Sequence, residues 1–257
     1  MRPILAAMTK WRPVFGLALV ALALAASPAA QAGGKRLVVV ELYTSQGCSS
    51  CPPADALLGR LADRKDVLAM SLPVTYWDML GWKDTLASET NTHRQKAYAV
   101  MMGRGNVYTP QMIVDGVSDV VGSREAAVDA AIAARQADMI AVPVMLQATH
   151  GELHIAVGQG VANPNANATI WLFQILGKAS VNIGAGENHG RVLAYRNVVR
   201  EVKAVGIWKG QALSLDLPRD ELPSAPHDSV AVVVQQGGYG RIVGAAMIAR
   251  PYYASLW

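Results

Sequence analysis

Both cysteines of this 257-residue chain lie three positions apart, in the stretch SQGCSSCPPAD at residues 45–55. Cys48 and Cys51 follow the β-branched run LVVVELY (37–43). They precede Ala54, Leu57, Leu58 and Leu61, which fall at i, i+3, i+4, i+7 on one helix face. A strand must therefore end and a helix begin around the pair. Such a junction offers free backbone N–H groups and the positive end of the helix dipole, which favour an anion and lower the pKa of a thiol held there. Pro52 and Pro53 suit a first helical turn, where a missing N–H loses little. Because Pro52 restricts Cys51, helix starts at Ser49 and at Pro52 both remain open.

Two cysteines at this spacing have three uses: a redox pair, a structural bridge or half of a metal site. A CxxC bridge closes a very small loop and constrains the unfolded chain weakly, whereas a staple usually joins distant segments. A metal would need further ligands, and the histidines (93, 150, 154, 189, 227) are closely spaced only at His150/His154, around an expected hairpin turn. The redox pair is the reading carried forward, with no metal and no cofactor expected. A structural disulfide, common in exported proteins, and a Cu(I)-binding thiol pair stand as alternatives.

The compartment bears on that choice. Arg2, Lys10 and Arg12 precede the 13-residue apolar run VFGLALVALALAA (14–26). A spanning helix needs about 20 apolar residues, so the run reads as the core of a signal peptide. Ala30-Gln31-Ala32 fits small-x-small cleavage, with residues 1–32 removed and the mature chain starting at Gly33. The formal charge is +4, but those three basic residues belong to the leader and no acidic residue does, which leaves +1 beyond it. Such a balance, without a lysine/arginine run, argues against nucleic acid or an anionic membrane surface as a partner. A periplasmic or secreted protein with no membrane span after cleavage is expected.

The chain changes texture near residue 140. Before it, a second apolar run at 67–74 follows the first helix. Ser88 can cap a helix through about Met102 that stops at Gly103. Asp115-Gly116 in VYTPQMIVDGVSDVVG signals a hairpin, and Ser123 can cap a helix carrying Val128, Ala131 and Ile132. The order is βαβαββα, with a parallel first unit and an antiparallel last pair. After residue 140, strand-like runs separated by NPNAN, GAGENHG, LPSAPHD and GGYG suggest a mostly antiparallel, β-sandwich-like module.

Taken together, this order, the CxxC at the first strand–helix junction and Thr109-Pro110 before a later strand resemble the thioredoxin-like fold. More narrowly, ELYTSQGCSSCPPAD, YWDMLGWKD, RQKAYA, VYTPQMIVDG and GENHGRVLAYRNVV resemble a family of exported bacterial thioredoxin-like proteins catalogued as a domain of unknown function. One departure is Pro73-Val74-Thr75, where similar sequences read His-Val-Asp. The resemblance implies a thioredoxin-like domain over 33–139 and a β-rich domain over 140–257. It implies a cis Pro110 facing the cysteines, with Thr109 offering its backbone to a substrate. It also implies that Glu41, near the buried acid of thioredoxins, relays protons to Cys51; a solvent-facing Glu41 is the other reading. Tyr76 and Trp77, with Trp82 and Lys83 beyond, are expected to wall the site or to pack the core, and Glu187, Asn188 and His189 to form a turn or line a groove. The expected activity is thiol–disulfide exchange with a protein or small-molecule partner: Cys48 attacks and Cys51 resolves. The alternative in a different class is a non-enzymatic binding module.

Overall fold

The computed structural model describes residues 36–137, 141–149, 151–160, 167–218, 222 and 227–249. The expected signal segment and cleavage point, His150 and residues 163–166 of the NPNAN turn lie outside the described residues, as does the expected boundary at 139/140.

The first segment follows the expected order: β1 (Val38–Thr44), α1 (Pro52–Leu61), β2 (Val67–Pro73), a 3-10 turn (Asp78–Leu80), α2 (Glu89–Met101), β3 (Gln111–Val114), β4 (Ser118–Val121) and α3 (Glu125–Gln136). β1 and β2 pair in parallel, while β3 runs antiparallel to both β1 and β4. Alternation along β1 sets the layers. Val38, Val40 and Leu42 pack with Leu57, Leu58 and Leu61 of α1 and with Val128 and Ile132 of α3. Val39 and Tyr43 join Tyr98 of α2 on a second cluster. Each large side chain buried this way contributes about 2 kcal/mol.

The local signals are mixed in outcome. The Ser88 hydroxyl accepts from Asn91 N at the start of α2, as its sequence position suggests. Asp115 (φ 48°) and Gly116 (φ 72°) turn the β3–β4 hairpin, and a Cβ at Gly116 would sit 2.1 Å from Gly240 O. Only glycine fits there. Ser123, in contrast, does not cap α3: Arg124 holds the N-cap position, and no side chain caps the helix.

The second segment departs from a separate module. β5 (Val144–Thr149), β6 (Glu152–Val157) and β9 (Leu213–Pro218) form a three-stranded antiparallel sheet. β7 (Ala168–Asn182), β8 (Val192–Trp208), β10 (Ser229–Gln236) and β11 (Ile242–Ala249) instead extend the first sheet, giving eight strands in the order β11-β10-β7-β8-β2-β1-β3-β4. The small sheet packs on the far half of the large one through Leu153, Ile155 and Val157 against Ile170, Leu172 and Val232. Two layers are therefore present, as a sandwich requires, but one of them runs through both segments. The reason lies at β2, whose outer edge would otherwise present unpaired backbone groups. β8 covers it at Ser71↔Val198, and the adjacent Asn197 (φ 50°), a residue type that tolerates this conformation, sends its side-chain amide to Ala69 O. The large sheet thus joins the two segments, and Lys35–Trp257 forms one unit. No described helix is long and apolar enough to cross a membrane.

Candidate functional site: the Cys48–Cys51 bridge and its clamp

Cys48 and Cys51 are joined by a disulfide with their Cα atoms 5.4 Å apart. The helix starts at Pro52, which puts Cys51 at the N-cap, where its carbonyl accepts from Ala54 N and Asp55 N. Cys48 lies one step outside, in a turn closed by Cys48 N to Ser45 O and Cys51 N to Cys48 O, each 3.2 Å. The Cys48 sulfur is 3.3 Å from Ser50 Oγ. A position at the helix start implies an exposed Cys48, but both cysteines are fully buried.

Distant elements supply the cover. From the loop between β7 and β8, the Asn188 side-chain amide donates to Gln46 O and to Cys48 O, both at 2.9 Å, while its oxygen accepts from Arg191 Nη1 at 2.8 Å. Two carbonyl acceptors and one guanidinium donor leave the amide a single orientation. Next to it, Glu187 Oε2 accepts from Ser49 N at 3.0 Å. Contact with Ser49, its hydroxyl and N–H together, holds the Glu187 carboxyl below its ordinary pKa. Behind the loop, Asp84 accepts from Gln46 N, and the Trp82 indole N–H donates to Gln46 Oε1, each at 2.8 Å. The residues between strand and helix are therefore held on both sides.

Trp77 reaches from the cysteine loop to the cis-proline. Its Cβ is the nearest atom to the open side of Gly47, and its indole N–H donates to Thr109 Oγ1 at 2.8 Å. Thr109-Pro110 is a cis peptide, as the resemblance implies, and Pro110 is buried. The Tyr76 hydroxyl faces Gln95 and Thr109, and burial raises its pKa. Trp77 and Thr109 thus join the cysteine loop, with Tyr76 at their edge.

Glu41 falls elsewhere. It shares the β1 face of Val39 and Tyr43, opposite the face that carries α1, and is fully buried there. Arg94 of α2 donates Nε to Glu41 Oε1 at 2.6 Å and Nη2 to Gln235 Oε1 at 2.8 Å, while the Tyr98 hydroxyl donates to the other Glu41 oxygen. The guanidinium also lies 5.1–5.6 Å from the ring centres of Phe173, Tyr98, Trp171 and Tyr239. Burial acts most strongly and would lower the Arg94 pKa, but Glu41, with Tyr98 and Tyr43, acts against it and the net shift is upward. Of the two expectations for Glu41, the solvent-facing one is overturned and burial holds, but its carboxylate is paired with a cation on the side of β1 away from α1.

An acid that sequence reasoning passed over follows the pair on α1 instead. Asp55, one turn beyond Cys51 in the first turn of α1, is 7% exposed, and neither carboxylate oxygen has a hydrogen-bond partner of proper geometry. Burial pushes its carboxyl up to about 7; the nearby Thr44 hydroxyl acts against that shift, and Asp84 adds to it. The Tyr195 hydroxyl from β8, itself buried without a partner, is close enough for both carboxylates to raise its pKa, after burial. The signal was in the sequence, since Asp55 interrupts the apolar stripe of α1 three positions before Leu58. Among the described residues no group of three metal-ligating side chains occurs.

A family model described as "Protein of unknown function (DUF1223)" matches residues 39–235. A crystal structure of a protein from Agrobacterium tumefaciens, a structural-genomics target, is 33% identical, with a TM-score of 0.71 over 82% of this chain and 93% of that one. HBP35 of Porphyromonas gingivalis is similar in fold at 14% identity, with a TM-score of 0.56 over 84% of this chain and 75% of that one. No curated protein matches the sequence.

Proposed function

Since the chain belongs to the DUF1223 family, whose description assigns no activity, we propose its function from the site: an exported thiol–disulfide oxidoreductase on a thioredoxin-like frame. The observation that carries this is the placement of the bridge. It joins the turn after β1 to the N-cap of α1, spans 5.4 Å between Cα atoms and ties together nothing that the chain does not already hold. Parallel β1 and β2, the β3–β4 hairpin and the cis Thr109-Pro110 support the frame.

In the reduced protein the Cys48 thiolate attacks one sulfur of a partner disulfide. A Cys48–partner bond forms, and the other partner sulfur leaves as a thiolate. Cys51 then loses its proton and attacks the Cys48 sulfur, which restores the bridge and releases the second partner thiol, so the partner gains the two electrons that the pair gives up. Asn188 and the Gln46 turn orient the pair. Because both sulfurs are covered, the loop carrying Glu187 and Asn188 must shift before a partner can reach Cys48.

Replacing Cys51 by Ser tests this directly. Mixed disulfides between Cys48 and natural partners should accumulate outside the cytoplasm, and Cys48→Ser should accumulate none; an absence of trapped species from Cys51→Ser would count against the reading. The burial of both sulfurs favours a second reading, a binding module with a structural bridge. Under it, the two single mutants lose stability alike and neither captures a partner.

A further inference from the structure

The carboxylates around the pair are arranged unlike those of a site built to hold a thiolate. Glu187 accepts from the Ser49 N–H, the amide that directly follows Cys48, and so holds a carboxylate beside the residue whose sulfur would carry negative charge. Asp84 occupies the Gln46 N–H on the other side. Asp55 stands in the first turn of α1. Arg191, a cation on the same loop, is turned to the Asn188 oxygen, and His189 follows Asn188 with its backbone N–H on Gly186 O.

The geometry points to Glu187 as the residue that sets the redox poise of the pair: by taking the Ser49 N–H it disfavours a thiolate on Cys48 and makes the dithiol more strongly reducing. This rests on the proposed exchange chemistry for its consequence, but not for its measurement. A thiolate at Cys48 and the Glu187 carboxylate, held at the next residue's N–H, repel each other, whereas a disulfide sulfur carries no charge and does not. Glu187 therefore destabilises the reduced state only where Cys48 ionises. Its effect should be absent at low pH and grow as pH rises through the Cys48 titration.

The test is the equilibrium between the protein and a glutathione or dithiothreitol buffer from pH 6 to 9. In that reaction the Cys48–Cys51 bond breaks, the reductant's two thiols form their own disulfide, and two protons pass to the protein sulfurs or to solvent. Glu187→Gln keeps an acceptor for Ser49 N and removes the charge. Relative to wild type it should favour the reduced protein about two- to five-fold at the alkaline end and not at all at pH 6, and thiolate absorbance should appear at lower pH. Glu187→Lys should shift both further in the same direction, and added salt should shrink the difference. A wild type that resists excess dithiothreitol while Glu187→Lys is reduced would support the assignment as well. Variant and wild-type curves that coincide across the pH range would overturn it, as would an offset equal at every pH or a bridge closed to reductant in all three proteins. A shifted equilibrium in a protein that fails to exchange with any partner disulfide would leave Glu187 in this role and remove the oxidoreductase reading instead.

Discussion

Arg94 Nε lies 2.6 Å from Glu41 Oε1 with neither side chain reaching solvent, so α2 is fixed to β1 by a buried ion pair rather than by an apolar stripe. Removing one partner of such a pair leaves an uncompensated buried charge. Glu41→Ala should therefore cost roughly 3–5 kcal/mol, measured by urea unfolding. Glu41→Gln, once folded, should leave the pH profile of disulfide exchange unchanged, because the carboxylate faces away from α1. A shifted profile would return Glu41 to the chemistry.

Asp55 gives the opposite case, a buried acid without a counter-charge. Its folded pKa of about 7 lies above the ordinary 3.8. In that window the folded state holds a proton that the unfolded chain has lost, so stability falls as pH rises from 4 and levels off above 7. Asp55→Asn removes the penalty. The variant should gain little at pH 4 and up to about 4 kcal/mol at pH 8, the ceiling set by the size of the shift. Thermal unfolding at the two pH values checks this, and an equal change at both would exclude a raised Asp55.

Asn188 is the pin of the cover. Asn188→Ala removes the donor to Gln46 O and one of the two donors to Cys48 O, which keeps Cys51 N, a loss of about 1–3 kcal/mol. The same change should speed reduction of the bridge by dithiothreitol in the folded protein. An unchanged rate would mean that the loop does not control access.

Export is a separate matter. If residues 1–32 are a cleaved leader, protein recovered from outside the cytoplasm should have an intact mass that begins at Gly33. A retained leader would remove the oxidising-compartment argument.

Where the sequence was legible, a local rule dominated. The apolar stripe of α1, Asp115-Gly116 and Ser88 each carry their own signal within a few residues, and each forms as expected. α2 was legible by its cap and its stop but not by its inner face, because Asn91, Thr92, Arg94, Gln95 and Tyr98 are buried there and hydrophobic periodicity does not register polar groups. The joining of β8 to β2 was not legible either: Ser71 and Val198 are 127 positions apart, and nothing local marks an edge as needing a partner. The same holds at the site. Cys48, Cys51 and the cis Pro110 were found from motif and resemblance, but the Asn188 amide that pins the Cys48 carbonyl is 140 positions away. The Glu41 expectation placed an acid by its distance from Cys48 along the chain, and strand alternation sent its side chain to the opposite face.

The account rests on the bridge being a working pair, and dithiol-dependent reduction of a protein disulfide by the folded protein measures that most directly. With excess dithiothreitol as electron source, wild type should accelerate reduction of a test protein disulfide well above the dithiothreitol background, and Cys48→Ser should return the rate to that background. A wild-type rate equal to that of Cys48→Ser, with the Cys48–Cys51 bond still closed after the assay, would contradict the account and leave the bridge as structure.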